Sequence, residues 1–68
     1  MAKSEKDFLN KLKMVEEELD ETCHWLEIIT ESGMLAEERV RPLYNENIEL
    51  MKIIVSSLRT TRQHLSNQ

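Results

Sequence analysis

The sequence predicts an all-α fold, an antiparallel two-helix hairpin that assembles into a four-helix bundle by self-association. Three observations predict it. Apolar residues recur at alternating spacings of three and four along two stretches, the pattern of a helix with one buried stripe. The single glycine, Gly33, stands between those stretches where a helix end needs a residue tolerant of positive φ. The apolar circumference of the second stretch is wider than one neighbouring helix can cover. The expected organisation is one unit over residues 1–68, with a helix at 5–32, a turn at 33–36 and a helix at 37–65 kinked near Pro42.

The first helix is signalled by Ser4 as N-cap, with Asp7 in an approximate capping-box position and Glu5 facing the positive helix end. Its predicted seam is Phe8, Leu12, Val15, Leu19, Leu26 and Ile29, interrupted at Thr22. Gly33 should stop it at Ser32, with Met34 folding back on Ile29 as the apolar contact of a Schellman turn.

The second helix carries Glu37 and Glu38 in its first turn and a seam of Val40, Tyr44, Met51, Ile54, Leu58 and Leu65, with Asn47 and Thr61 as polar interruptions. Pro42 lies past the first turn, where it removes a hydrogen bond and crowds the carbonyl four residues back, so a kink or a broken first turn is expected. The short turn forces the helices antiparallel, with Leu19 near Leu50 and Phe8 near Arg62.

Outside the seams the chain is still apolar. Leu43 and Leu50 flank one side of the second stripe, Ile48 and Val55 the other, and the first helix adds Trp25 and Ile28. These six are the predicted oligomer interface. A 68-residue chain buries a poor fraction of its surface alone, and a single cysteine excludes an internal disulfide, which leaves association as the source of stability. A homodimer is the favoured state, with higher oligomers as the alternative.

Thirteen Asp/Glu against nine Lys/Arg give a formal charge of −4, which disfavours a general attraction to phosphates. Lys3, Lys6, Lys11, Arg59 and Arg62 nevertheless gather at the open end of the hairpin, so nucleic acid contact through these five is the second reading. Pairing with Asp7 and with the C-terminal helix dipole is their structural explanation. No apolar run spans a bilayer and the first residues lack the pattern of a signal peptide. With one unpaired cysteine, this predicts a cytoplasmic protein without a membrane partner.

Glu21-Thr22-Cys23-His24 puts a carboxylate and an imidazole one helical turn apart, as in carboxylate-bridged di-iron bundles. The predicted seam turns His24 toward water, and Cys23 beside His24 does not complete a tetrahedral shell, so no metal is expected. Cys23 reads instead as a small, partly buried apolar residue. The acidic run from Glu16 to Glu21 lacks the glycine-bearing loop of a calcium site and reads as a solvated face. His64, Ser56 and Ser57 do not form a nucleophile with its base, and there is no phosphate-binding glycine loop, so no catalysis and no cofactor are expected. Trp25 and Tyr44 read as core or interface anchors, and Asn47 as a buried polar residue fixing register.

Ser4-Glu-Lys-Asp-Phe8, Asp20-Glu-Thr-Cys-His-Trp-Leu26, Glu31-Ser-Gly33 and Ser57-Leu-Arg-Thr60 together resemble the C-terminal half of the bacterial four-helix-bundle proteins called rRNA intervening-sequence proteins. The most specific piece is Glu21-Thr22-x-x-Trp25-Leu26. Members of that family are four-helix protomers in ring-like pentamers and are similar to the accessory proteins of retroelements. The resemblance implies that Trp25 and Leu26 pack within a bundle, with Glu21 at a polar bundle position. Two paired hairpins would supply the four helices. The function expected is a non-enzymatic module acting through protein contacts, with a nucleic-acid-binding accessory subunit as the alternative.

Overall fold

Between residues 2 and 31 neither glycine nor proline interrupts the chain, and the backbone is helical throughout. The computed structural model describes residues 2–67, with side chains from residue 4. It consists of α1 (Ala2–Glu31) and α2 (Glu37–Ser66), packed against each other as a hairpin, with no strand among the described residues. The pair forms a rod of 50 × 15 × 12 Å. Neither helix is long and apolar enough to cross a membrane.

The helix start differs from expectation. α1 is already helical at Ala2, so Ser4 lies inside the first turn and the cap predicted there does not form. Ala2 and Lys3 favour the helix, and nothing before Ser4 in the described chain stops it. Hydroxyls within the helices are satisfied by the carbonyl four residues back: Thr22 donates to Glu18 at 2.8 Å, Thr30 to Leu26 at 3.0 Å and Thr61 to Ser57 at 2.8 Å.

The turn forms at the predicted glycine. Gly33 has φ 76°, and it donates its N–H to the Thr30 carbonyl at 3.1 Å while Ser32 donates to Ile28 at 2.9 Å. Met34 does not fold back on Ile29; it is 76% exposed, so the apolar clasp of a Schellman turn is missing. A Cβ added at Gly33 meets nothing within 4 Å. Gly33→Ala should therefore cost only the backbone strain of a positive φ, about 1–2 kcal/mol, read as a lowered thermal midpoint.

α2 starts after Ala36, whose extended backbone (φ −67°, ψ 143°) lets its carbonyl accept N–H bonds from Arg39 at 3.0 Å and Val40 at 3.4 Å. The helix continues through Pro42 without interruption, so of the kink or broken first turn expected there the broken turn does not occur. Pro42 and Glu38 are both exposed, and water can satisfy the carbonyl that the ring leaves without a donor.

The α2 seam is the predicted one: Val40 and Leu58 are buried, and Tyr44, Met51, Ile54, Thr61 and Leu65 are half-buried. The α1 seam is rotated. It consists of Glu5, Leu9, Leu12, Glu16, Leu19, Cys23, Leu26 and Thr30, while Phe8 is 55% and Val15 42% exposed and Ile29 is half-buried. Leu12, Leu19 and Leu26 fit two heptads, one completed by the residues three positions later and one by those four later. The buried side chain of Asn47 faces the second. Its Nδ2 donates to the Leu19 carbonyl and to Cys23 Sγ, both at 2.8 Å, and only the second rotation brings Cys23 to it.

Candidate self-association surface

A hairpin with this seam has two flanks, and residues seven apart line each of them. Phe8, Val15, Thr22 and Ile29 edge α1 on one side, and Lys6, Lys13, Asp20 and Glu27 edge it on the other. Along α2 the two series are Leu43, Leu50, Ser57 and His64, and Arg41, Ile48, Val55 and Arg62.

Two local contacts match the series across the hairpin. Phe8 shares a shallow depression with Thr60, Thr61 and His64, which joins the Phe8 series to the His64 series. On the opposite flank Tyr44 donates its hydroxyl to Glu27 Oε1 at 3.2 Å, in a depression that Arg41 also lines. One flank is thus edged by eight residues without an Asp, Glu, Lys or Arg. The other is edged by four charged residues of α1 and two arginines of α2.

The uncharged flank is also the more apolar. Trp25, one turn from Thr22 and Ile29, is 56% exposed, and Ile53, one turn from Leu50, is 60% exposed. Phe8, Val15, Trp25, Leu43, Leu50 and Ile53 make an exposed surface along most of the rod. Only Leu12, Val40, Leu58 and Asn47 are buried among the described residues, and many large apolar side chains remain open to water.

The six residues expected at an interface therefore do not share one surface. Trp25, Leu43 and Leu50 open on the uncharged flank, Ile48 and Val55 on the charged one, and Ile28 lies on the outer side of α1. Phe8 and Val15, expected in the α1 seam, lie on the uncharged flank instead, and Ile53 lies on the same side. The absence of charge from the series at positions 8, 15, 22 and 29, beside the wholly charged series at 6, 13, 20 and 27, is the sequence signal that marks it.

The basic residues are likewise divided. Arg59 and Arg62 line a depression with Val55 on the charged flank, whereas Lys11 lies one turn beyond Phe8 on the other. Lys6 is exposed, and the side chain of Lys3 lies outside the described residues. The ion pair expected with Asp7 does not form among the described residues. Glu5 reaches across instead, its Oε1 3.1 Å from His64 Nε2. Glu5 occupies the rotated seam and Asp7 does not, which is why the former meets α2.

No three His, Cys, Asp or Glu side chains among the described residues are placed to hold a metal ion. Glu21 and His24 are both exposed, with the His24 ring 5.9 Å from that of Trp25. The exposed pairs Arg41–Glu37 at 2.8 Å and Lys52–Glu49 at 3.1 Å decorate the surface and add little to stability.

The hydrogen bond to Glu27, and then its negative charge, raise the pKa of the Tyr44 phenol above its ordinary value. A raised pKa means that this contact stabilises the fold while the phenol is protonated and is lost as pH rises through the folded pKa. Ultraviolet titration should find Tyr44 ionising later than free tyrosine, and Glu27→Gln should bring it back toward the ordinary range.

No family model matches this chain, and no match was found among the curated proteins or the solved structures.

Proposed function

We propose that the chain is a non-enzymatic, self-associating helical module that acts through protein contacts, two hairpins pairing into a four-helix bundle. One observation carries this reading: the uncharged flank, where both helices present apolar side chains to water on the same side. Large apolar side chains exposed together along one side of a protein mark a site of association. Trp25 supplies the large aromatic anchor that dominates interface energetics. The resemblance to bundle-forming rRNA intervening-sequence proteins agrees with it, since it implies that Trp25 is enclosed by a bundle. Ile48 and Val55, on the other flank, leave room for a higher oligomer.

Sedimentation equilibrium at micromolar concentration is the test. The expected mass is twice the 8.1 kDa of the chain, with dissociation on dilution accompanied by loss of helical circular dichroism. A helical species of 8.1 kDa that persists at that concentration overturns the reading.

A second reading, a nucleic-acid-binding accessory subunit, is favoured by Arg59 and Arg62 standing exposed on one depression. Phosphate contacts are strongest at low salt, so RNA or DNA binding that fades as salt is raised would support it, and no binding at low salt would remove it.

A further inference from the structure

The charged flank has an order along the rod that the hairpin itself does not use. Toward the open end it carries Lys6, Lys13, Arg59 and Arg62 without an Asp or Glu, and toward the turn α1 contributes Asp20, Glu27 and Glu31. Among the described residues, Lys6, Lys13, Asp20, Arg59 and Arg62 make no ion pair within the hairpin. Arg59 and Arg62 line one depression with Val55, and Glu27, Glu31 and Glu37 line another near the turn with Arg41. Glu37 holds Arg41 at 2.8 Å, which leaves the second depression with a negative excess.

These charges are arranged symmetrically about the middle of the rod, with the sign reversed. Lys13 and Asp20 stand equally far from the centre of Ala2–Glu31, and so do Lys6 and Glu27. Val55 and Ile48 stand equally far from the centre of Glu37–Ser66. Two such flanks laid face to face in opposite directions, α1 on α1 and α2 on α2, therefore bring each of these cations to an anion and each of these apolar residues to another. An unrelated partner requires no match between the two halves of the flank. A twofold copy does, because residue i then meets j and j meets i.

We infer that the charged flank is a second self-association face, on which another copy lies in the opposite direction, Lys13 against Asp20 of the partner subunit, Lys6 against Glu27 of the partner subunit and Val55 against Ile48 of the partner subunit. This extends the self-association proposed above to the other broad side of the rod, and it does not depend on the uncharged flank being covered. Arg62 comes opposite Arg41 of the partner subunit, in the depression where carboxylates outnumber that arginine. With both turns at the same end, α1 lies over the second helix of the other copy instead. That sets Lys6 against Arg62 of the partner subunit, and Lys13 and Asp20 against apolar residues. Like charges so juxtaposed oppose docking, whereas complementary ones steer and align it. Ile48 is half-buried and Val55 38% exposed, so the apolar contribution is small and the contact is governed by charge.

Sedimentation equilibrium at raised protein concentration and two salt concentrations separates the faces. The apolar flank keeps its dimer at about 1 M salt, where charges are screened beyond about 3 Å, and the charged flank should add species heavier than twice 8.1 kDa at about 0.01 M, where screening reaches about 30 Å. Lys13→Glu should weaken the heavier species about tenfold, and Lys13→Glu combined with Asp20→Lys should restore them to within about threefold, because the exchanged pair is complementary again. Such a rescue requires position 13 of one copy to lie beside position 20 of the other, which the opposite direction alone provides. Heavier species that Lys13→Glu leaves unchanged, or that the double substitution does not rescue, overturn the inference. A mass of twice 8.1 kDa at both salt concentrations overturns it while leaving the uncharged face intact. A low-salt dimer that raised salt and Lys13→Glu both split into monomers upholds the charged face and removes the uncharged one. A monomer at both salt concentrations overturns both.

Discussion

Leu58→Ala is expected to lower the stability of the folded hairpin by about 2–4 kcal/mol. Leu58 is 1% exposed, the most completely buried side chain among the described residues. The register set by Glu5 against His64 places it at the level of Leu12, the most buried apolar residue of α1. A core this thin has few side chains with which to close a cavity, so the lost transfer energy and the unfilled space both count. Urea unfolding, followed by circular dichroism at one protein concentration, should show a lower midpoint with an unchanged slope. Holding concentration fixed matters because unfolding and dissociation are linked. Met14→Ala, at a position 57% exposed and on the outer side of α1, should move the midpoint by no more than about 0.5 kcal/mol. Equal losses from both variants would mean that Leu58 is not the core of the hairpin.

Leu50→Glu should have a small effect on the hairpin and a large one on its association. Leu50 is 45% exposed and lies midway along the rod on the uncharged flank. In a symmetric dimer formed through this flank, one substitution puts two carboxylates into the interface and removes two leucines from it. Burying a leucine is worth about 1.5–3 kcal/mol. A weakening of about 100-fold, or about 2.8 kcal/mol, is therefore a conservative expectation, with the monomer prevailing where the unmodified chain is dimeric. Sedimentation equilibrium measures it directly. A Leu50→Glu variant that dimerises with unchanged affinity would show that the Leu43 and Leu50 side faces no partner.

Much of the hairpin was legible in the sequence. Gly33 marks the turn because its position needs positive φ, and the α2 stripe from Val40 to Leu65 reads correctly through both polar interruptions. The α1 stripe does not, because Leu12, Leu19 and Leu26 belong equally to two heptads. Periodicity alone has no means of choosing between Val15 and Glu16, and the apolar choice is the natural one. In the structure the rotated stripe faces α2, and the buried amide of Asn47 meets both the Leu19 carbonyl and Cys23 Sγ. The candidate surface follows from that rotation: turning Glu16 and Cys23 inward turns Phe8 and Val15 out, beside Leu43 and Leu50.

By itself the sequence determined two amphipathic helices, the glycine that separates them and more apolar surface than one pairing can cover. These are local or additive properties, fixed by spacing and composition. Only the tertiary structure decided which stripe of α1 faces α2, and with it which apolar residues remain outside. That choice involves contacts between residues far apart in the chain, such as the hydrogen bonds from Asn47 to Leu19 and Cys23, and no local pattern encodes it.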